Sequence, residues 1–398
     1  MASLLTYLFI FSVFYTASSQ DLLLDSLSLK YSDISDLDPL SLDLDIPACP
    51  SYTCKRKDQS FTKKTCIFYS ADDDTFYVDK CADKTFSLCN PTQSLVNSTC
   101  TIPQRTVIPL SWPGEKCHNA SDCTTGCIAC KMGFCIAQPE GSGCTSSMEC
   151  NAGLFCSIPT GGTGACAPQI PVGGVGCTSD YDCVNGAGCN ITTPNSASAT
   201  NVCIQYYTLK PHEIVSSCVS NSNLLCSSGI CKTQSGISYC SNSLASENSN
   251  IPNTCQRGSV CSSIADNFFT TPFALTGPCQ CGLNSNGTAY CPIFPGDAPY
   301  LEFINQSKKG YNSTDIAKCH TLRRYTYQCR EQHWDKKNYD KLQYYFTYVN
   351  HYPVVQESPE CVVKMYQSDY YQAKLEYNDE FGSATAIGVS IVLALIAG

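Results

Sequence analysis

Cysteine placement is the feature that most constrains this chain. Of its 398 residues 31 are cysteine, about 8%, close to the density of a disulfide scaffold. All but three lie between Cys49 and Cys291; the exceptions are Cys319, Cys329 and Cys361. A reducing cytosol does not suit such thiol density, whereas an oxidising compartment turns it into crosslinks. The total is odd, so one cysteine is expected to be free or intermolecular. The 28 of the dense region are even in number, which places the odd residue among Cys319, Cys329 and Cys361. Charge narrows the field further. Lys+Arg 25 against Asp+Glu 34 gives −9, with no domain-wide positive excess of the kind that binds nucleic acid. Composition excludes a collagen and a wholly disordered chain.

The two ends carry targeting signals. Residues 1–19 read as a secretory signal peptide, with an apolar stretch from Leu4 to Tyr15 and small residues at Ala17 and Ser19 before the cut. Residues 20–48 form a cysteine-free Asp/Leu/Ser spacer. Its seven Asp against Lys30 make −6 of the total −9. Their spacing does not fit an EF-hand loop, and a solvated spacer is the expectation. Residues 382–398 are apolar, with no Lys or Arg. The apolar run from Ala384 reaches only about 22 Å as a helix, short of a hydrocarbon core of roughly 30 Å. With small residues at Gly382, Ser383 and Ala384, this tail reads as a GPI-attachment signal, a short membrane anchor being the alternative.

Between the ends the cysteines fall into groups. Residues 49–110 hold a module of six. Residues 111–205 then repeat a pattern that opens at Cys117–Cys123, Cys144–Cys150 and Cys177–Cys183, each pair with five residues between them. Cys156 with Cys166, and Cys189 with Cys203, complete the second and third copies. An acid precedes the second cysteine each time, and Asn119, Ser146 or Ser179 stands three residues before that acid. This is capping-box spacing, and it predicts a single helical turn between the two cysteines. Gly143 and Gly176 ahead of the first cysteine fit tight turns. Such a unit has almost no apolar core, so crosslinks must supply its stability. Residues 206–291 hold further cysteine-rich modules. The two groups of five, one holding Cys127 and the other Cys281, require at least one bridge between groups.

The motif C-x4-[DE]-C-x5-C with a glycine just ahead resembles the opening of the Dickkopf N-terminal cysteine-rich domain. It is also similar to repeats of cysteine-rich surface proteins of ciliates, which are commonly GPI-anchored. The resemblance covers residues 114–205. Dickkopf proteins act on a Wnt co-receptor chiefly through a second cysteine-rich domain. No counterpart of it exists here, so that activity is not implied.

From Pro292 the composition changes: 13 of the 24 Tyr follow it. Residues 292–381 read as a small, Tyr-rich, mainly α-helical domain. Ser313 or Thr314 caps an expected helix through Arg330, and Leu342, Tyr345, Phe346 and Val349 share one helical face. On a continuous helix Cys319 and Cys329 stand about 15 Å apart, too far to bond. One of them is therefore expected to pair with Cys361.

Catalytic and metal motifs are sparse. Cys127 and Cys130 have C-x2-C spacing beside His118, but a zinc site wants a second pair, and disulfides are the expected fate of these cysteines. The five histidines form no H-E-x-x-H motif, and there is no nucleophile elbow or P-loop. No catalytic residue, cofactor or metal ligand is assigned. Nine Lys/Arg between Lys308 and Lys341 read as a solvated helix face or a patch for acidic glycans. Six glycosylation sequons start at Asn97, Asn119, Asn190, Asn286, Asn305 and Asn312 and imply surface loops.

The fold expected is thus a row of small disulfide-rich modules with little regular secondary structure, followed by a small helical domain. The function expected is non-enzymatic: recognition, adhesion or surface coat, with an extracellular protein or glycan as partner. A secreted protease inhibitor or ligand antagonist is the alternative. A third reading is a secreted enzyme with its site near His320, His333 or His351.

Overall fold

The structure is a computed structural model. It describes residues 48–57, 65–79, 88–89, 98–101, 110–159, 162–191, 200–218, 220–247, 253–268 and 272–362. The signal peptide, the acidic spacer and the apolar tail lie outside the described residues. Thirteen disulfides join described residues, so the expected disulfide-rich modules are present, with short strands and few helices.

The N-terminal region is a small sheet of β1 (Ser51–Cys54), β2 (Thr65–Ser70), β3 (Thr75–Val78), β4 (Leu88–Cys89) and β5 (Ser98–Thr101), in the order β1-β3-β2-β5-β4. Only β1 and β3 run parallel. The β-prone run of Phe76, Tyr77 and Val78 is buried throughout, as suits an inner strand.

Four modules then repeat one geometry. Ser111, Gln138, Ile170 and Leu209 each bridge in parallel to the module's second disulfide-bonded cysteine, Cys123, Cys150, Cys183 or Cys226. Three residues on, Gly114, Gly141, Gly173 or His212 donates its N–H to the carbonyl of the last cysteine, Cys135, Cys166, Cys203 or Cys240. That last cysteine pairs as a strand neighbour with the third, Cys130, Cys156, Cys189 or Cys231. The disulfides cross, first to third and second to fourth: Cys117–Cys130 and Cys123–Cys135, Cys144–Cys156 and Cys150–Cys166, Cys177–Cys189 and Cys183–Cys203, Cys218–Cys231 and Cys226–Cys240. A fifth module keeps the crossed order with Cys255–Cys279 and Cys261–Cys291. The expected turns are there as 3-10 turns at Ala120–Asp122, Ser147–Glu149 and Asp180–Asp182. Asp122 accepts from the Asn119 amide and Asp182 from the Ser179 amide, while Glu149 accepts from Thr145 instead. Burial in the first three modules is mostly cysteine itself, so crosslinks stand in for a core.

After the modules come three helices: α1 (Ala298–Tyr311), α2 (Tyr327–His333) and α3 (Lys336–Val355). The carboxylate of Asp297, just ahead of α1, accepts from the amide and hydroxyl of Ser246 and from the Phe294 amide. It thereby anchors the helix start to the fifth module. Helices α1 and α3 run antiparallel, with Phe303 beside Phe346 at one level and Gly310 against Trp334 at the other. A Cβ at position 310 would collide with that indole. The largest buried cluster is shared. Tyr206, Tyr207, Leu225 and Cys240 of the modules meet Phe303, Tyr311, Trp334 and Leu342 of the helical segment.

Three expectations are corrected. No single helix covers 314–330. A 3-10 turn, Thr314–Lys318, ends at Cys319 and His320, both extended, before a second 3-10 turn, Thr321–Arg323, and then α2. The break folds Cys319 back to 5.7 Å (Cα–Cα) from Cys329, and the two are bonded. Cys361 instead pairs with Cys54, because α3 delivers it to the edge strand β1. The expected bridge between groups is Cys49–Cys281. Among the described residues the free cysteine is Cys127, in the first module and not in the helical region.

Candidate functional site

The chemistry of the molecule concentrates where the modules meet the segment 316–334. A 3-10 turn satisfies few of its own carbonyls, and those left over are met by side chains from this segment. Arg324, fully buried, spreads its guanidinium over the third module: Nη2 donates to Cys183 O at 2.9 Å, Nη1 to Ala187 O at 2.9 Å, and Nε to Thr321 O at 3.0 Å. Thr321 Oγ1 donates to Tyr181 O. In return, Asn185 Nδ2 of that module donates to Ile316 O and Cys319 O at 2.8 and 2.7 Å. His320 serves the second module, its Nε2 standing 2.9 Å from Ser147 O. The first module is held by the buried pair Arg323–Glu115 at 3.5 Å, by Gln332 accepting from the Lys116 amide, and by His333 Nε2 at 3.2 Å from Gly114 O. Burial pushes the Glu115 carboxyl up, against the opposing pull of the Trp112 amide and Arg323. The segment is a hub to which three modules are fastened.

A second cluster joins the fourth module to the fifth. His212 occupies the place that glycine holds in the first three modules. It adopts the same left-handed backbone, φ +70° against +81° to +89°, at a cost of about 1 kcal/mol for a side chain. Its ring stacks on Phe268 (3.9 Å, 8°) and its Nε2 lies 3.4 Å from Asp266 Oδ1. Asp266 also accepts from Ser241 Oγ and from the Asn242 and Phe268 amides. Burial opposes ionisation of Asp266, but these donors outweigh it and hold its carboxyl below the ordinary value. Ser241 and His212 bond to one carboxylate rather than to each other. The geometry is therefore that of a joint and lacks a nucleophile–base contact.

The sequence-predicted sites are scattered. Asn119, Asn286, Asn305 and Asn312 are exposed. Asn190 is not: it is buried, donating to Ile214 O and accepting from the Ser216 amide, the reverse of the surface placement expected of its sequon. Asn97 lies outside the described residues. Cys130 is bonded to Cys117, so the C-x2-C pair is split. The clusters Cys117/Cys123/Cys135, Cys144/Cys150/Cys166 and Cys177/Cys183/Cys203 are each two adjacent disulfides whose sulfurs happen to lie close together. Burial pushes the Cys127 thiol up, with Thr124 opposing. Of the three histidines weighed for a C-terminal site, His320 and His333 serve the hub. Sequence reasoning missed the hub itself. Its one legible signal was a pair of adjacent arginines, Arg323 and Arg324, on a segment expected to be a helix with a solvated basic face.

Outside the hub the modules present apolar side chains to solvent: Ile128 and Met132 in the first, Ile158 in the second, Val172 and Val175 in the third, Ile214 and Ile237 in the fourth, Val260 and Ile264 in the fifth. Met132 is the extreme, 90% exposed at a hairpin tip. Comparison with family models, curated proteins and solved structures finds no match to this chain. No helix among the described residues is long and apolar enough to cross a membrane. The extent of disulfide bonding fits an extracellular or secreted protein.

Proposed function

We propose that this chain is a non-enzymatic extracellular protein of recognition, adhesion or surface coat. The observation that carries the reading is the repeated module. Five crossed pairs of disulfides hold short loops rigid, in the first three modules with almost no other core, and all five modules present apolar side chains to solvent. Rigid loops on a crosslinked frame lose little entropy on binding and offer few sites of local opening to proteases. The Dickkopf-like opening of the repeats supports the same reading, as does the likeness to GPI-anchored surface proteins of ciliates. On this reading residues 1–19 direct secretion, residues 382–398 are exchanged for a GPI anchor, and glycans occupy the exposed sequons at Asn119, Asn286, Asn305 and Asn312. The partner is an extracellular protein or glycan.

Detergent phase partitioning tests the anchor. The protein is expected in the detergent phase and in the aqueous phase after phosphatidylinositol-specific phospholipase C. A protein already aqueous, with residues 382–398 intact, contradicts the surface reading.

A further inference from the structure

His320 is the one group of the hub whose bonds require a particular protonation state. Its Nδ1 accepts from the Leu322 amide at 3.2 Å while its Nε2 faces Ser147 O at 2.9 Å. An amide N–H needs a lone pair and a carbonyl needs a donor, so only the neutral imidazole with its proton on Nε2 satisfies both. A second proton must go to Nδ1, where it points at the Leu322 N–H. Among the described residues no carboxylate faces the ring to compensate. The charged groups nearest to it are the guanidiniums of Arg323 and Arg324 on its own segment. Glu115, from the first module, is engaged by Arg323. From the second module the ring meets only backbone, at Ser147 and Cys150. From the third, Asp180 is turned to the Cys189 amide at 2.8 Å and Tyr181 lies under Arg324. The Trp112 indole, 5.3 Å from the imidazole, is shared with Arg323.

We propose that His320 is an acid-operated release: its protonation detaches the turn Ser147–Glu149 of the second module from the hub. The module itself does not depend on this bond, since Cys144–Cys156 and Cys150–Cys166 close it independently. The event is therefore an undocking and not an unfolding. It leaves the disulfides intact and uncovers Ser147 O, Trp112 and the adjoining face of Thr321–Arg323. An extracellular protein taken into an acidified vesicle would pass from the closed to the open arrangement without any change of covalent structure.

Burial is the chief cause of the imidazole's resistance to protonation; the carbonyls of Ser147 and Cys150 oppose it and the two arginines add to it, for a pKa of about 4. Against an ordinary 6.5 in the open state, the opening constant rises about 100-fold between pH 7 and pH 4. Hydrogen exchange on the full, unreduced chain, corrected for intrinsic rate, reads this at the Leu322 amide, whose acceptor is the His320 ring. The wild type is expected to show that rise. His320→Gln keeps a donor for Ser147 O but has no titrating group, and is expected to stay within about threefold across the same range. An equal rise in His320→Gln, or a flat wild type, overturns the proposal. Should His320→Gln not fold, the wild type alone decides by the NMR titration of the His320 ring: protonation with retained protection of Leu322 overturns it, and protonation with loss of that protection supports it.

Discussion

At the scale of single residues, the hub is an exercise in matching leftover carbonyls to donors. Arg324 illustrates why a fully buried cation is tolerated. Its nitrogens are met by Cys183 O, Val184 O, Ala187 O, Thr321 O and Thr321 Oγ1, and its plane lies near the Tyr181 and Tyr325 rings. Arg324→Ala leaves several buried acceptors bare and is expected to cost about 3–5 kcal/mol by denaturant titration. Arg324→Lys restores a charge but not the fork, and should recover only part of that loss. The sign of the pH dependence at His320 follows from its depressed pKa. A folded value of about 4 below an unfolded 6.5 means the neutral form is stabilised, so stability is full above pH 6.5 and falls as pH drops toward 4. The His320 share of that loss is about 3 kcal/mol, and a thermal melt series from pH 7 to 4 on wild type and His320→Gln isolates it. Cys127 makes a simpler prediction. Its half-buried thiol, with its pKa pushed up by burial, should alkylate slowly under native conditions and readily after unfolding without reduction. In the native state no other described cysteine should react.

At the scale of elements, the capped turns were legible in the chain and the helix breaks were not. Asn119 with Asp122, and Ser179 with Asp182, are local signals, and the structure uses them locally. Asp182 is buried and accepts from the amides of both Thr178 and Ser179, so Asp182→Ala is expected to cost about 1–2 kcal/mol in thermal or denaturant unfolding. Asp122→Ala, on an exposed turn, should cost less. A helix over 314–330 failed for a reason that no local pattern contains. Extending the chain at Cys319 and His320 frees Ile316 O and Cys319 O for Asn185 and lets His320 cap the Thr321–Arg323 turn by accepting from Leu322. Tertiary partners 131 and 134 residues away outbid helix propensity. The fourth module was hidden for a related reason. Seven residues separate Cys218 from Cys226, not five, and His212 stands where the first three modules have Gly114, Gly141 and Gly173, so it does not align by spacing although its hydrogen bonds repeat those of the others.

At the scale of the whole molecule, the account rests on five crossed modules, the first three fastened to one hub, and on two long-range bridges, Cys49–Cys281 and Cys54–Cys361, with sequence separations of 232 and 307. Counting cysteines pointed to an oxidising compartment and to one odd thiol. It misplaced that thiol because parity within a region is informative only if no bridge leaves the region, and Cys54–Cys361 does. Loops of this length remove much entropy from the unfolded chain, so Cys361→Ser is expected to lower stability by about 2–5 kcal/mol and to loosen the N-terminal sheet from the end of α3, where Val362 and Val354 join the sheet's buried cluster. Proteolysis of β1–β3 at native pH would report that loosening. The most direct test of the architecture is disulfide mapping by mass spectrometry of peptides cut without reduction, with free thiols blocked beforehand. The account predicts crossed peptides joining Cys144 to Cys156 and Cys150 to Cys166, the same order in the other modules, Cys54 joined to Cys361, and the block on Cys127. Sequential pairs such as Cys144–Cys150, or Cys127 found in a bridge within the chain, would contradict it.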